Sequence, residues 1–429
     1  MTTAADVGDA GRGLWRHRDF MKLWIAQTIS LFTSQFLLLA LPLTAVLLLD
    51  AGPTQVGLLT AAGYAPFLLI GLPAGVWVDR LRRRPIMITA DVARCLILST
   101  VPVLYLNDAL TLAVLYPIVF AAGVFTVFND VAGQSYLPSL VARGQLTDAN
   151  AKLSASQSTA QLAGPAGTGG LVQLLTGPIT VLIGAIGYLG SALFLSRIKH
   201  REPPVRSGAE ADANLLARMT QGLRYVLGHR HLRPIAVSTS VANLFDLFGM
   251  VAAVLVIFTI HELRLTPGMF GLAMGLANIG AVVGAASSRH LVRRWGFGPV
   301  LVVSSALPGL AVVVLALATP STAMASLAVC LGVCGFAISV FNVNQLSLRQ
   351  TVTPDEFQGR MHATMRFLIW GTLPIGTAAG GLLGDAIGIR PTLLVAGIGS
   401  ALSCVPLVMA SMHRVRVMPT EPATNEVES

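Results

Sequence analysis

Charge is what this chain has least of. Asp, Glu, Lys and Arg make up 11% of its 429 residues, whereas apolar side chains make up 54%. Soluble domains carry about 25% charged residues, so a water-facing surface is excluded and a membrane class follows. A mean hydropathy of +0.71 agrees. Cysteine is scarce too: Cys95, Cys330, Cys334 and Cys404 all fall in apolar runs. Cys330 and Cys334 are one helical turn apart but have no histidine or carboxylate neighbour, which points to packing rather than a metal. There is no Walker loop, no HExxH and no GxSxG. These absences argue against ATP-driven work by this chain and against an enzyme, so no catalytic residue, metal or cofactor is expected. Residues 1–18 are polar and the first apolar run is too long for a signal-peptide core, so no cleavable signal is expected.

What the chain does have is apolar length. A bilayer crossing needs roughly 20 apolar residues, and twelve runs qualify: 20–49, 54–78, 85–106, 109–133, 151–175, 178–197, 234–260, 267–288, 298–318, 322–346, 362–386 and 390–411. The net charge of +9 raises nucleic acid as a partner, but position decides against it. With the N-terminus inside, Arg12, Arg16, Arg18, Lys22, Arg80 to Arg84, Arg143, the 197–233 loop, Arg289, Arg293, Arg294, Arg349, Arg360, Arg414 and Arg416 share one face. The other face keeps little beyond Arg264 and Arg390. The positive-inside rule then places both termini in the cytoplasm, with the basic residues near anionic headgroups.

The chain divides near its middle. The expected layout is a cytoplasmic segment 1–19, a six-helix bundle 20–198, a linker 199–233, a second bundle 234–412 and a tail 413–429. Within the linker, Leu215, Leu216, Met219, Leu223, Val226 and Leu227 fall on one helical face, as in an amphipathic surface helix. The histidines lie in loops or at span ends, and His229 and His231 beside Arg230 read as solvated. Internal similarity supports a duplication. Gly164-Pro165 followed by Gly169-Gly170 in the fifth span parallels Pro374 followed by Gly380-Gly381 in the eleventh.

Between the second and third spans lies Gly75-Val-Trp-Val-Asp79-Arg80-Leu-Arg-Arg83-Arg84-Pro85. A glycine, an aspartate and paired arginines at this spacing resemble the loop 2–3 signature of the major facilitator superfamily. Gly284, Arg289, Arg293 and Arg294 form a weaker second copy, with Ser288 at the position of Asp79. Trp15 to Phe20, Gly164-Pro165, and Gly359-Arg360 with Arg366 before Pro374 resemble the branch holding macrolide-efflux pumps and the enterobactin exporter. The Gly-Pro motif departs from the drug-antiporter pattern by one residue, since three residues rather than two precede the glycine pair. Proline and small residues there still predict a bend and a close helix interface through Gly164, Pro165, Gly169 and Gly170.

The resemblance implies an all-α membrane protein of twelve spans in two six-helix bundles, acting as a monomeric inner-membrane secondary transporter. It also implies that Gly75, Asp79, Arg80, Arg83, Arg84 and Asp130 form a conformational latch, with Asp130 a partner for Arg83. The alternative is that Asp79 merely ends a helix beside topogenic arginines.

Charge inside the spans guides the coupling assignment, because a buried charge must be paired, wetted or neutralised. Asp91 and Arg94 are three residues apart and share a helical face, as a structural pair or a transport site. Asp246 lies near the middle of the seventh span with Asn243 one turn earlier. It is the leading proton-coupling candidate, with Asp91 second; pairing to Arg366 or hydrogen bonding to Asn243 are the alternatives for Asp246. Gln27, Gln35, Asn243, Asn278, Asn342, Asn344 and Arg366, with nearby aromatics, are candidates to line an amphipathic substrate cavity. The reading is proton-coupled export of a small amphipathic molecule such as a drug, antibiotic or siderophore. A lipid flippase, an importer or a non-transporting sensor is the competing class.

Overall fold

The computed structural model describes residues 14–200, 202 and 215–419, and every regular element among them is helical. The expected features that fall on residues 1–13, 201, 203–214 and 420–429 lie outside the described residues. Among the described residues, ten helical segments are long and apolar enough to cross a membrane.

In the first half these are α1 (Arg18–Leu48), α4 (Arg83–Leu106), α5 (Leu112–Leu140) and α7 (Gly177–Ser196). Two further expected spans are helical but miss that standard. The second divides at Ile70 into α2 (Pro53–Leu69) and α3 (Gly71–Arg80), so neither piece is long enough. The fifth, α6 (Leu146–Leu175), has the length but carries a polar Ser, Thr, Gln and Gly run.

The second half begins with α8 (Leu215–Gly228), the linker helix. The seventh span follows as α9 (Leu232–Phe245), an irregular stretch, α10 (Met250–Ile257) and a π turn over Phe258–Glu262. Then come α11 (Pro267–Trp295), α12 (Phe297–Ala316) and α13 (Ala323–Val352). The eleventh span is divided into α14 (Asp355–Trp370) and α15 (Leu373–Ile387), and the chain closes with α16 (Ile389–Ala401) and α17 (Val405–Met409).

The described residues form two compact units. Those within Met1–Asp50 and Ala65–Ser207 make one, and those within Ala51–Tyr64 and Gly208–Ser429 make the other. In the first unit α1 packs on α6 and α7, and α4 packs on α5 and α7. Its core beside the start of α1 gathers Phe20, Leu23, Met87, Tyr136, Leu140 and Leu195. In the second unit the dominant pairs are α11 with α13, and α12 with both α13 and α16. These helices approach closely because glycines face backbone: Gly280 faces Gly332, Gly284 faces Phe336, and Gly309 faces Gly397 and Ala401. Residues 51–64 belong here because Gly57 meets Gly381, with Cα 2.8 Å from an added Cβ. Thr54 N–H also donates to Asp385 Oδ2 at 3.0 Å.

Candidate functional site

The first unit holds a buried ion pair. Asp91 and Arg94, three apart on α4, are 0% and 1% exposed, and the Arg94 guanidinium donates to Asp91 Oδ1. Neighbouring helices complete the setting. Asn129 Nδ2 on α5 donates to the same Asp91 oxygen at 3.0 Å, and Arg94 reaches Ser30 Oγ on α1 at 3.4 Å. The guanidinium carbon lies 3.9 Å from the ring centre of Tyr188 on α7, a cation–π contact. Tyr188 in turn shares a 3.0 Å hydrogen bond with Ser34. Asp130 is near enough to act on the charge of Arg94. Asp91 Oδ2 and Arg94 Nε are buried without a hydrogen-bond partner among the described residues. The pair is therefore locked but incompletely satisfied.

At the end of the same unit that carries the loop 2–3 signature, the arginines bind backbone and linker. The backbone N–H groups of Arg83 and Arg84 donate to the two carboxylate oxygens of Glu202, each at 2.7 Å. These are the first amides of α4, and a carboxylate there meets both the unpaired N–H groups and the positive helix end. The Arg83 guanidinium lies 4.0 Å from the same carboxylate. Arg84 caps the other polarity, donating to the α7 carbonyls of Leu195 at 2.9 Å and of Ser196. Lys22 donates to Arg197 O at 2.7 Å, while Asp19 accepts from His200 N–H at 2.9 Å.

Glu202, beside Arg83, was missed in the sequence. Its signal was present: it is the single acid between Ser196 and Ala209, amid Arg197, Lys199, Arg201 and Arg206. Arg80 is exposed at the end of α3, and the Asp79 side chain lies outside the described residues. An added Cβ at Gly75 meets nothing within 4 Å, so close packing does not require glycine there.

The second unit contains two interrupted helices in contact. The seventh span breaks at Asp246, whose Oδ1 accepts from Phe248 N–H at 2.9 Å. The carboxylate is 5% exposed and lies in the irregular stretch before α10, whose N-cap is Gly249. Tyr64 and Cys334 lie within its electrostatic reach, and no cation pairs with it among the described residues. The eleventh span breaks where Pro374 has no N–H to return to Trp370. Its carbonyls before the break take side-chain donors from α9: Ser240 Oγ to Leu368 O at 3.2 Å, and Asn243 Nδ2 to Ile369 O at 3.0 Å. Gly376 faces Leu244 O and Gly380 faces Met250 O, so the breaks sit against one another without intervening side chains. Asp246 is thus held by backbone, rather than by Asn243 or Arg366. Arg366 is half-buried with no partner among the described residues.

The other predicted cavity residues each have contacts within their own unit. Gln27 packs on Gly133 and Gln35 packs on Gly164. Asn278 donates to its own helix at Met274 O, 3.3 Å away. Asn342 is exposed and accepts from Gln345 at 3.3 Å. Asn344 is buried and donates to Ser288 Oγ at 2.8 Å, tying α13 to α11. Along α6 the close contacts come from Gly164 and from Gly167 (3.5 Å to Phe36), while Gly170 meets nothing within 4 Å and Gly169 is buried. The helix runs through Pro165 unbroken. Cys330 and Cys334 are buried, and Cys334 donates to Pro308 O at 3.7 Å, a packing role.

Residues 23–373 match the profile of the Major Facilitator Superfamily. The chain belongs to that family. It is 27% identical over 372 residues to the multidrug efflux pump Tap of Mycolicibacterium fortuitum, covering 84% of this chain and 88% of that protein. It is 23% identical over 411 residues to macrolide efflux protein A of Streptococcus pyogenes, covering 92% and 96%. The crystal structure of a point mutant of the nucleoside transporter NupG matches with a TM-score of 0.74 at 12% identity, over 91% of this chain and 99% of that one, which speaks to the fold alone. This major facilitator is a multi-pass membrane protein of the secondary-transporter class.

Proposed function

We propose that this transporter exports small amphipathic molecules of the drug, antibiotic or siderophore class in exchange for protons, by alternating access of two helix bundles. The relatives' efflux of drugs and macrolides supports the substrate class and direction. Proton coupling rests on the observation at Asp246. That carboxylate is buried in an interrupted span, held by backbone N–H, with no cationic partner among the described residues. A carboxylate in such a setting can gain and lose a proton without first breaking an ion pair, a step that costs Asp91 its contact with Arg94. A proton moving down the potential supplies about 2.3 kcal/mol per 100 mV. Asp91, with one oxygen unpartnered, ranks second. The loop 2–3 residues Gly75, Asp79, Arg80, Arg83, Arg84 and Asp130 are read as conformational hardware. Arg366 and the amides Gln27, Gln35, Asn243, Asn278, Asn342 and Asn344 are read as cavity residues. The protein is read as a monomer with both termini in the cytoplasm of an inner membrane.

The test is reconstitution in proteoliposomes with an internal pH dye and an imposed proton gradient, followed by addition of a macrolide. The native protein should dissipate the gradient and Asp246→Asn should not. Uphill transport surviving in Asp246→Asn removes that residue from the role. Labelled macrolide or lipid moving with no pH response removes proton coupling altogether.

A further inference from the structure

Helix α8 buries one side and leaves another open. Gly222 sits against α14, where an added Cβ meets Arg360 O at 3.2 Å and Thr364 Oγ1 closer still. The Tyr225 ring stacks on Phe357 with centroids 4.9 Å apart. Val226 is fully buried in a cluster with Leu232, Ile235, Met361 and Met365. One residue further round, about 100° on the wheel, Leu223 and Leu227 are 37% and 41% exposed. The expected single apolar face is therefore divided: Val226 turns to the protein, Leu223 and Leu227 turn out, and the side chains of Leu215, Leu216 and Met219 lie outside the described residues.

Position and charge say what covers the open side. Only His229, Arg230 and His231 separate α8 from the span Leu232–Glu262. Three residues reach at most about 11 Å, which holds the end of α8 at headgroup level. From Asn214 to Phe245 there is no Asp or Glu, but there are Arg218, Arg224, Arg230 and Arg233. Arg224, Arg230 and Arg233 are exposed. Burial, then the neighbouring His231, pushes the His229 imidazole below its usual value; burial, then Arg230, does the same to His231. The positive charge here is thus carried by arginine.

We propose that α8 docks on an anionic phospholipid surface, with Leu223 and Leu227 at the acyl boundary and Arg224 and Arg230 on the phosphates. The inference does not depend on what the transporter carries or on its coupling ion.

The test uses the full-length chain with its four native cysteines replaced and an environment-sensitive fluorophore on L227C or, separately, L223C. Each is reconstituted in phosphatidylcholine vesicles with and without phosphatidylglycerol. Adding phosphatidylglycerol should lower quenching by aqueous acrylamide and raise quenching by brominated acyl chains. R224Q and R230Q should each reduce the ratio of shielded to open label about fivefold, the equivalent of ~1 kcal/mol per cation. Equal acrylamide access in both vesicles overturns the proposal, as does shielding that ignores lipid charge. Acrylamide shielding without bromolipid quenching assigns the face to a protein and overturns it too. Should the cysteine-replaced protein not fold, hydrogen exchange of the native α8 amides decides. Protection that rises with phosphatidylglycerol is expected, and unchanged protection overturns the proposal.

Discussion

The two units build the same kind of helix bundle from different materials. In the first, α1, α4, α5 and α7 converge on a charged centre, Asp91 and Arg94, with Ser30, Asn129 and Tyr188 around it. In the second, the central seam between α11 and α13 has glycine against backbone, and its buried polar link is the neutral pair Asn344 and Ser288. The turns differ in the same sense. Gly388, between α15 and α16, has φ 90 and ψ 163; Thr176, between α6 and α7, has φ 88 and ψ 159. That backbone region is close to glycine-only. The first unit thus carries a locked charge and a strained turn, where the second carries close packing, a relaxed turn and an unlocked carboxylate at Asp246. The buried charge of the first unit is paired within α4 and tied to α5, whereas Asp246 in the second is held by backbone N–H.

The sharpest way to break this comparison is to remove one member of the pair. Arg94→Gln leaves Asp91 buried without its counter-charge, and loss of one partner from a buried pair costs about 3–5 kcal/mol. Thermal unfolding in detergent should show a marked fall in midpoint. The double variant Asp91→Asn with Arg94→Gln should recover most of it, because two neutral amide groups are cheaper to bury than one lone charge. If the double variant is no better than the single one, the charge is not what organises this centre. Equal stability of Arg94→Gln and the native protein would erase the distinction between the units.

Exchange of the turn residues tests the second contrast. Thr176→Gly should raise stability and Gly388→Thr should lower it, each by about 1–3 kcal/mol for a residue held in this region. The signs must be opposite, since the two turns share dihedral angles and differ in side chain. A loss in Thr176→Gly would mean that the threonine side chain contributes more than its backbone strain costs. Melting of both variants under one condition is sufficient, as the comparison is internal.

These contrasts were unevenly legible in the sequence. Span number and position followed from apolar length, except where Ile70 divides the second span and the polar run of α6 dilutes the fifth. Asp91 with Arg94 was readable as a pair because three residues is a helical neighbour distance. The aromatic partner Tyr188, distant in sequence, was not. Asp246 was readable as an intramembrane carboxylate, but its hydrogen bond from Phe248 N–H required a helix break. That break depends on Gly249 meeting the carbonyls of Asn243 and Leu244, and on Gly376 and Gly380 in the eleventh span. The local contacts of the side-chain amides were not legible: Gln35 packs on Gly164, Asn278 donates to its own helix and Asn344 donates to Ser288.

Glu202 supplies the finest test, because it joins the loop 2–3 signature to the chain that leaves the first unit. Its carboxylate accepts the amides of both Arg83 and Arg84, so the charge is shared by two donors at a helix start. Glu202→Gln keeps the size and one acceptor oxygen but turns the other position into a donor facing an N–H. The loss of charge at the helix end is about 1 kcal/mol, smaller than either effect above. The stronger readout is local. Hydrogen exchange at the first amides of α4 should quicken, while amides around Asp91 and Arg94 keep their protection. Uniform quickening would mean that Glu202 supports the whole unit. No change at Arg83 and Arg84 would mean that water replaces the carboxylate at no cost, and that the arginine pair does not anchor the linker.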